Sequence, residues 1–129
     1  MKIYFDANFP PSIAESLDKL EGFDRQNDIL STTLEFGENI KDPQLIKAIA
    51  KKKGVWITFD RSALKAHIKV LKRYKVPIFA FEYGSHRYWE KTYLTLKHWE
   101  KIKSLILENK GADFYVYRVM KSTIKLKKY

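Results

Sequence analysis

The chain has 129 residues, the size of one ordinary domain, and its 45% hydrophobic and 31% charged residues are typical of a globular protein. Because cysteine is absent, disulfides, thiolate zinc sites and cysteine nucleophiles are excluded. The formal charge of +10 favours a polyanionic partner such as nucleic acid, although lysines that only keep a protein soluble raise the charge in the same way.

No apolar run approaches the roughly 18 residues that a membrane-spanning helix needs. The apolar stretch at residues 3–5 is also too short for the core of a signal peptide. We therefore expect one domain over residues 1–129, with no membrane segment and a cytosolic location by default.

The first part of the chain predicts a strand, a helix and a weaker strand. The segment KIYF, residues 2–5, predicts a short buried strand that stops at Asp6. Two prolines then permit a helix over about residues 11–21, since proline is tolerated in the first helical turn. Residues 23–30 are a poorer strand candidate because only their ends are apolar, and residues 31–41 are predicted as a polar loop.

The later part of the chain alternates helices and strands. Asp42 and Pro43 open a helix that ends in lysines before Gly54, an order that complements the helix dipole. The apolar run VWIT, residues 55–58, predicts a strand buried on both faces, as in a parallel sheet. Further helices are predicted at residues 62–74 and 88–109, and further strands at residues 78–81, 114–119 and 123–126.

Strands that alternate with helices predict right-handed βαβ units around a mostly parallel sheet. We therefore predict an α/β fold of three layers, α/β/α, with an antiparallel strand pair at the C-terminal end of the chain.

Three aspartates stand at matching ends of these predicted elements. Asp6 directly follows the first strand, Asp60 comes just past VWIT, and Asp42 begins the helix that leads into VWIT. Ligands of open parallel sheets bind beyond the carboxyl ends of the strands, so the three carboxylates are expected on one rim. Such a cluster suits Mg²⁺ or Mn²⁺, which prefer carboxylate and water oxygens and can promote phosphodiester displacement.

Each acid also has a structural interpretation. Asp42 before Pro43 suits a helix N-cap, and Asp60 could cap the helix that follows it. Asp6 is harder to explain in this way, because an ionisable group next to a buried strand is costly unless it is used. Asn8 beside it is a candidate cap for the first helix.

Two segments resemble the signatures of small PIN-like proteins. One signature is a strand that ends in an Asp-x-Asn turn, followed by prolines and a helix, and this chain begins MKIYFDANFPPSIAESL. The other is an acid that opens a helix, followed by a strand that ends in Thr-x-Asp, and this chain has DPQLIKAIAKKKGVWITFDRS. The later elements also follow the order seen in that family, so the resemblance covers nearly the whole chain.

The resemblance implies a metal-dependent nuclease fold, often a ribonuclease and often the toxin of a toxin–antitoxin pair. It implies that Asp6, Asp42 and Asp60 are the catalytic residues and the ligands of Mg²⁺ or Mn²⁺, with Asn8 and Ser62 in support. It also implies RNA as substrate, an antitoxin protein as partner, and a homodimer as a common assembly.

One position departs from the family pattern. PIN-like proteins frequently carry a further acid two residues after the Thr-x-Asp aspartate, where this chain has Ser62. Serine can bind a metal-bound water or cap the helix, but it cannot supply the charge. The alternative is therefore a catalytically degenerate module that only binds nucleic acid, unless Glu35 or Glu38 from the polar loop replaces the acid.

Aromatic and basic residues follow the strand at residues 78–81. Tyr83, His86 and Arg87 suit stacking on unpaired bases and pairing with phosphates, or alternatively they anchor the long helix with Arg87 in solvent. Trp89 is expected to be buried, as large aromatic residues usually are. If these aromatic residues are instead exposed to a partner, a protein–protein module is a third interpretation.

Arg61 and Lys65 follow Asp60 closely and are expected to meet phosphate, although such residues usually form a solvated helix surface. His67 and His98 stand alone within predicted helices, without a partner at the spacing of metal ligands. We interpret both histidines as structural.

Overall fold

Strands and helices alternate along the chain in a computed structural model that describes residues 1–23, 27–82, 87–112 and 114–129. None of the helices in these ranges is long and apolar enough to cross a membrane. The elements are β1 (Lys2–Phe5), α1 (Pro11–Glu21), β2 (Asp28–Ser31), α2 (Thr32–Phe36), α3 (Asp42–Lys51), β3 (Val55–Thr58), α4 (Arg61–Tyr74), β4 (Ile78–Phe81), α5 (Tyr88–Glu108), β5 (Val116–Val119) and β6 (Ile124–Lys127).

All six strands join one sheet, in the order β2-β1-β3-β4-β5-β6. The pairs from β2 to β5 are parallel, whereas β5 and β6 are antiparallel and pair Val116 with Lys127. The predicted α/β fold, its mostly parallel sheet and its C-terminal antiparallel strand pair are therefore confirmed.

Helices cover both faces of the sheet, because alternate residues of a strand point to opposite sides. Ile3 and Phe5 of β1 belong to a hydrophobic cluster shared with α1 and α5. Tyr4 and Trp56 belong to a second cluster shared with α3 and α4. All four residues of β3 are buried, as expected of a central strand between two helical layers. The layers are thus α/β/α, as predicted.

The strand order reverses beside β1. From β1 the chain passes to β2 on one side of it, and later returns to β3 on its other side. The connections that leave the carboxyl ends of β1 and β3 therefore diverge, and a crevice opens between them where ligands of such folds bind. Asp6 follows β1 directly, and Asp60 lies two residues after the end of β3.

The segment predicted as a polar loop, residues 31–41, is partly regular. Ser31 completes β2 and the next five residues form the short helix α2. Phe36 packs against the Tyr4 ring, with 5.3 Å between ring centroids, so tertiary packing holds a helix too short to be stable alone.

Three local predictions are wrong. Lys41 is the N-cap of α3 and Asp42 is its first residue, and Pro10 rather than Asn8 occupies the N-cap of α1. Trp89 is 77% exposed instead of buried. The side of α5 that packs on the sheet contains Trp99 and its neighbours, and Trp89 lies outside that side.

Candidate functional site

A polar pocket of about 80 Å³ lies at the crevice beyond the carboxyl ends of β1 and β3. Asp6, Asp42 and Asp60 all line it. The turn after β1 supplies Asp6, the start of α3 supplies Asp42, and the N-cap of α4 supplies Asp60. The structure therefore places three carboxylates from distant parts of the sequence around one cavity.

Asp6 is the most buried of these acids, with 6% of its surface exposed. Its Oδ1 accepts the backbone N–H of Asn8 at 3.0 Å, and the hydroxyl of Thr58 also bonds to the carboxylate. Burial raises the pKa of Asp6 from 3.8 to about 6, and the negative charges of Asp42 and Asp60 add to the rise. Asn8 and Thr58 carry no charge that could neutralise the carboxylate, so a cation would relieve the cost of ionising it.

Asp60 caps α4, as its structural interpretation predicts. Its Oδ1 accepts the backbone N–H of Ser62 at 3.0 Å and also the Ser62 hydroxyl. The backbone N–H of Asp60 donates to Thr58 Oγ1 at 2.9 Å. A single buried hydroxyl, that of Thr58, thereby links the turns that carry Asp6 and Asp60.

Asp42 is paired with a histidine. His67 Nε2 lies 3.1 Å from Asp42 Oδ2, and the side chains are 23% and 40% exposed respectively. From the sequence, His67 is interpreted as a structural histidine without a partner at the spacing of metal ligands, and the structure places it beside Asp42. Sequence spacing carries no signal for this contact, because the two residues meet only when α3 and α4 pack together.

The segment that follows β2 forms another wall of the pocket. Thr32, Thr33 and Glu38 line it, whereas Glu35 is not among the described residues around it. Because β2 is parallel to β1, the chain that leaves β2 arrives at the same edge of the sheet. Glu38 is exposed and brings a fourth carboxylate to this pocket.

Trp56 also lines the pocket, from the strand below the aspartates. The residue is 1% exposed, and its indole N–H has no hydrogen-bond partner among the residues that the structure describes. Buried donors are rarely left unpaired, so the indole N–H of Trp56 is an exception, as is the hydroxyl of Tyr115 among the described residues.

The basic and aromatic residues predicted to contact nucleic acid are placed only in part. Lys65 is exposed on α4, and Arg87 is exposed at the N-cap of α5; neither is among the described residues that line the pocket. Tyr83, His86 and the side chain of Arg61 lie outside the described part of the chain.

A basic residue that the sequence did not single out contacts the turn after β1, although it does not line the pocket itself. Lys91 Nζ donates to the backbone oxygen of Asn8 at 2.7 Å, and it lies 5.5 Å from the centre of the Phe59 ring. Asn8 itself lines the pocket. The Lys91 ammonium group therefore stands beside the turn that carries Asp6.

The donor set suits a hydrated hard cation better than a cage made only of protein ligands. Among the residues described, no three acidic or histidine side chains are arranged to hold a metal ion together. Magnesium is commonly held by one or two carboxylates and otherwise by water and substrate oxygens. The carboxylates and hydroxyls around a cavity of about 80 Å³ leave room for such waters.

When the chain is compared with known proteins, no protein-family model, no curated protein and no solved structure matches it. The structure defines the class of the protein: it is an α/β protein with a carboxylate-lined pocket at the point where the strand order of its sheet reverses.

Proposed function

We propose that this protein is a PIN-like endoribonuclease that uses Mg²⁺ or Mn²⁺ to hydrolyse phosphodiester bonds. The observation that carries the proposal is the buried Asp6 carboxylate, which shares a pocket with Asp42 and Asp60 at the reversal of strand order. A costly buried charge beside two further acids is expected where a cation binds, and is hard to explain as packing.

In this proposal, Asp6, Asp42 and Asp60 would bind the metal ion directly or through its water ligands, and Glu38, which lines the same pocket, would add negative charge. A bound Mg²⁺ or Mn²⁺ supplies an activated water and offsets the charge that develops on the phosphodiester. The chain itself fixes the geometry of the acids: Asn8 and Thr58 orient Asp6, and Ser62 orients Asp60.

Substrate binding is assigned to the positive charge of the chain outside the acidic pocket. The chain carries a formal charge of +10, and phosphate neutralisation dominates the binding of nucleic acids. Lys91 stands beside the Asp6 turn, and Arg87 begins the same helix. Contacts with RNA are further proposed for Arg61, Lys65, Tyr83 and His86.

The wider biological setting follows from the resemblance to PIN-like proteins. It favours a toxin that acts on cytosolic RNA, an antitoxin protein as partner, and assembly as a homodimer. These assignments depend on the nuclease activity and are secondary to it.

The test is cleavage of a panel of single-stranded and structured RNAs with Mn²⁺ by the wild type, Asp6→Asn and Asp28→Asn. Asp28 is an exposed aspartate of β2 and serves as the matched control. We expect cleavage by wild type and Asp28→Asn that a chelator abolishes, and none by folded Asp6→Asn. Cleavage by Asp6→Asn at the wild-type rate would exclude this site.

The second candidate is a PIN-like module that binds nucleic acid without cutting it. Ser62 favours this function, because its hydroxyl donates to Asp60 where PIN-like proteins frequently place another acid. RNA binding that persists in chelator, with no cleavage at any Mn²⁺ concentration, would select this candidate over the nuclease.

A further inference from the structure

We propose that His67 is a positioning residue that holds the Asp42 carboxylate in place for the metal ion. The inference rests on the proposed metal-dependent function, and it adds a role for a residue that the three-aspartate pattern does not include.

The contact joins two helices at the edge of the pocket. Asp42 is the first residue of α3, and His67 lies on α4, one helical turn after Ala63, which itself lines the pocket. Residues four apart on a helix share a face, so His67 lies on the side of α4 that includes Ala63. His67 Nε2 lies 3.1 Å from Asp42 Oδ2. Because a carboxylate only accepts hydrogen bonds, His67 is the side of this contact that can donate.

Asp42 needs such a donor more than the other two acids do. Asp6 is buried and accepts the N–H of Asn8, while Asp60 accepts donors from Ser62 within its own turn. Asp42 is 40% exposed and lies at the start of a helix. Without the contact to His67, its side chain could adopt several rotamers.

A bond through Oδ2 restricts the Asp42 rotamer and leaves Oδ1 for another ligand. Partners that orient a metal-binding side chain in this way typically contribute about 10- to 100-fold to metal affinity.

The competing explanation is that the pair only ties α3 to α4. A tie would contribute to the free energy of unfolding without changing the affinity of the folded protein for a metal. The two explanations therefore separate when metal affinity and stability are measured on the same variants.

We would titrate the full chain with Mn²⁺ alone by calorimetry, comparing wild type, His67→Ala and His67→Gln. The alanine variant should bind about tenfold more weakly. The glutamine variant should stay within about threefold of wild type, because its amide N–H can replace the donor. The matched control is His98→Gln. His98 lies on α5 and is not part of the pocket, and its Nε2 forms a hydrogen bond with the backbone oxygen of Lys121 at 3.3 Å.

A double-mutant cycle tests whether the effect passes through Asp42. Replacing His67 by alanine should have no further effect on Mn²⁺ affinity once Asp42 is asparagine. The inference is overturned if His67→Ala binds Mn²⁺ as wild type does, if His67→Gln loses as much affinity as His67→Ala, or if His98→Gln loses as much as either.

These outcomes are distinct from failure of the nuclease proposal. A wild type that binds Mn²⁺ but cleaves no RNA would remove the nuclease function and leave the role of His67 to be decided by the affinities. A wild type that binds no Mn²⁺ would overturn the metal site and the role of His67 together.

Discussion

Replacing Asp6 by asparagine is expected to make the folded protein more stable near neutral pH while removing the proposed metal ligand. Burial raises the pKa of Asp6 from 3.8 to about 6, with Asp42 and Asp60 adding to the rise. The folded state therefore binds the proton more tightly than the unfolded chain does. The contribution of Asp6 to the stability of the wild type therefore falls as pH rises from about 4 to about 6, and the loss is complete above that window.

The difference between the two pKa values corresponds to roughly 3 kcal/mol. Asparagine has no charge to ionise, and its Oδ1 can still accept the N–H of Asn8. Its amide nitrogen, however, replaces an acceptor oxygen beside the Thr58 hydroxyl, and a disturbed hydrogen bond costs about 1 kcal/mol. We therefore expect Asp6→Asn to gain about 1–2 kcal/mol over wild type near neutral pH, and to lose about 1 kcal/mol in acid, where only the cost of the disturbed hydrogen bond remains.

The assay is urea unfolding in the presence of a chelator, at about pH 4 and about pH 7.5, for wild type, Asp6→Asn and Asp28→Asn. Asp28 is exposed, so its variant should follow wild type at both pH values. Adding Mn²⁺ should then stabilise wild type and not Asp6→Asn, because a ligand stabilises only the state that binds it. A stability difference between wild type and Asp6→Asn that is the same at both pH values would refute the reasoning about a strained buried charge.

Two further predictions concern the frame around the site. Burial alone would raise the pKa of Glu21, but hydrogen bonds from Lys103 and Trp99, each 2.7 Å long, hold it below its ordinary value. Glu21→Gln should therefore lower the free energy of unfolding by about 1–3 kcal/mol near neutral pH and by progressively less in acid. Equal losses in urea unfolding at neutral and at acidic pH would contradict this prediction. A Cβ at Gly54 would lie 2.5 Å from a ring carbon of the buried Tyr4, so Gly54→Ala should cost about 1–3 kcal/mol in thermal unfolding; an unchanged midpoint would show that the ring can move.

The strands and helices that carry two of the aspartates could be predicted from local patterns. KIYF and VWIT are continuous apolar runs, and a strand buried on both faces requires such a run. Asp6 comes directly after the first run and Asp60 two residues after the second, and parallel strands end at the same edge of a sheet. Their placement at one rim therefore follows from strand order alone, without knowledge of any side-chain contact.

Elements that depend on distant partners were predicted less well. The strand β2 is a run of four residues, DILS, that is held by parallel pairing with β1. The helix α2 rests on the contact between Phe36 and Tyr4. A local pattern cannot register either interaction, because the stabilising partner lies far away along the chain.

The site itself was decided mostly by tertiary structure. His67 reaches Asp42 because α3 packs on α4, and Glu38 reaches the pocket because β2 delivers its following segment to the same edge as β1. Similarly, Lys91 reaches the turn at Asn8 because α5 covers that face of the sheet. Hydrophobic periodicity specifies which residues are buried along each element. Which polar side chains meet depends instead on how the elements pack, and residue spacing along the chain does not encode the distances between packed elements.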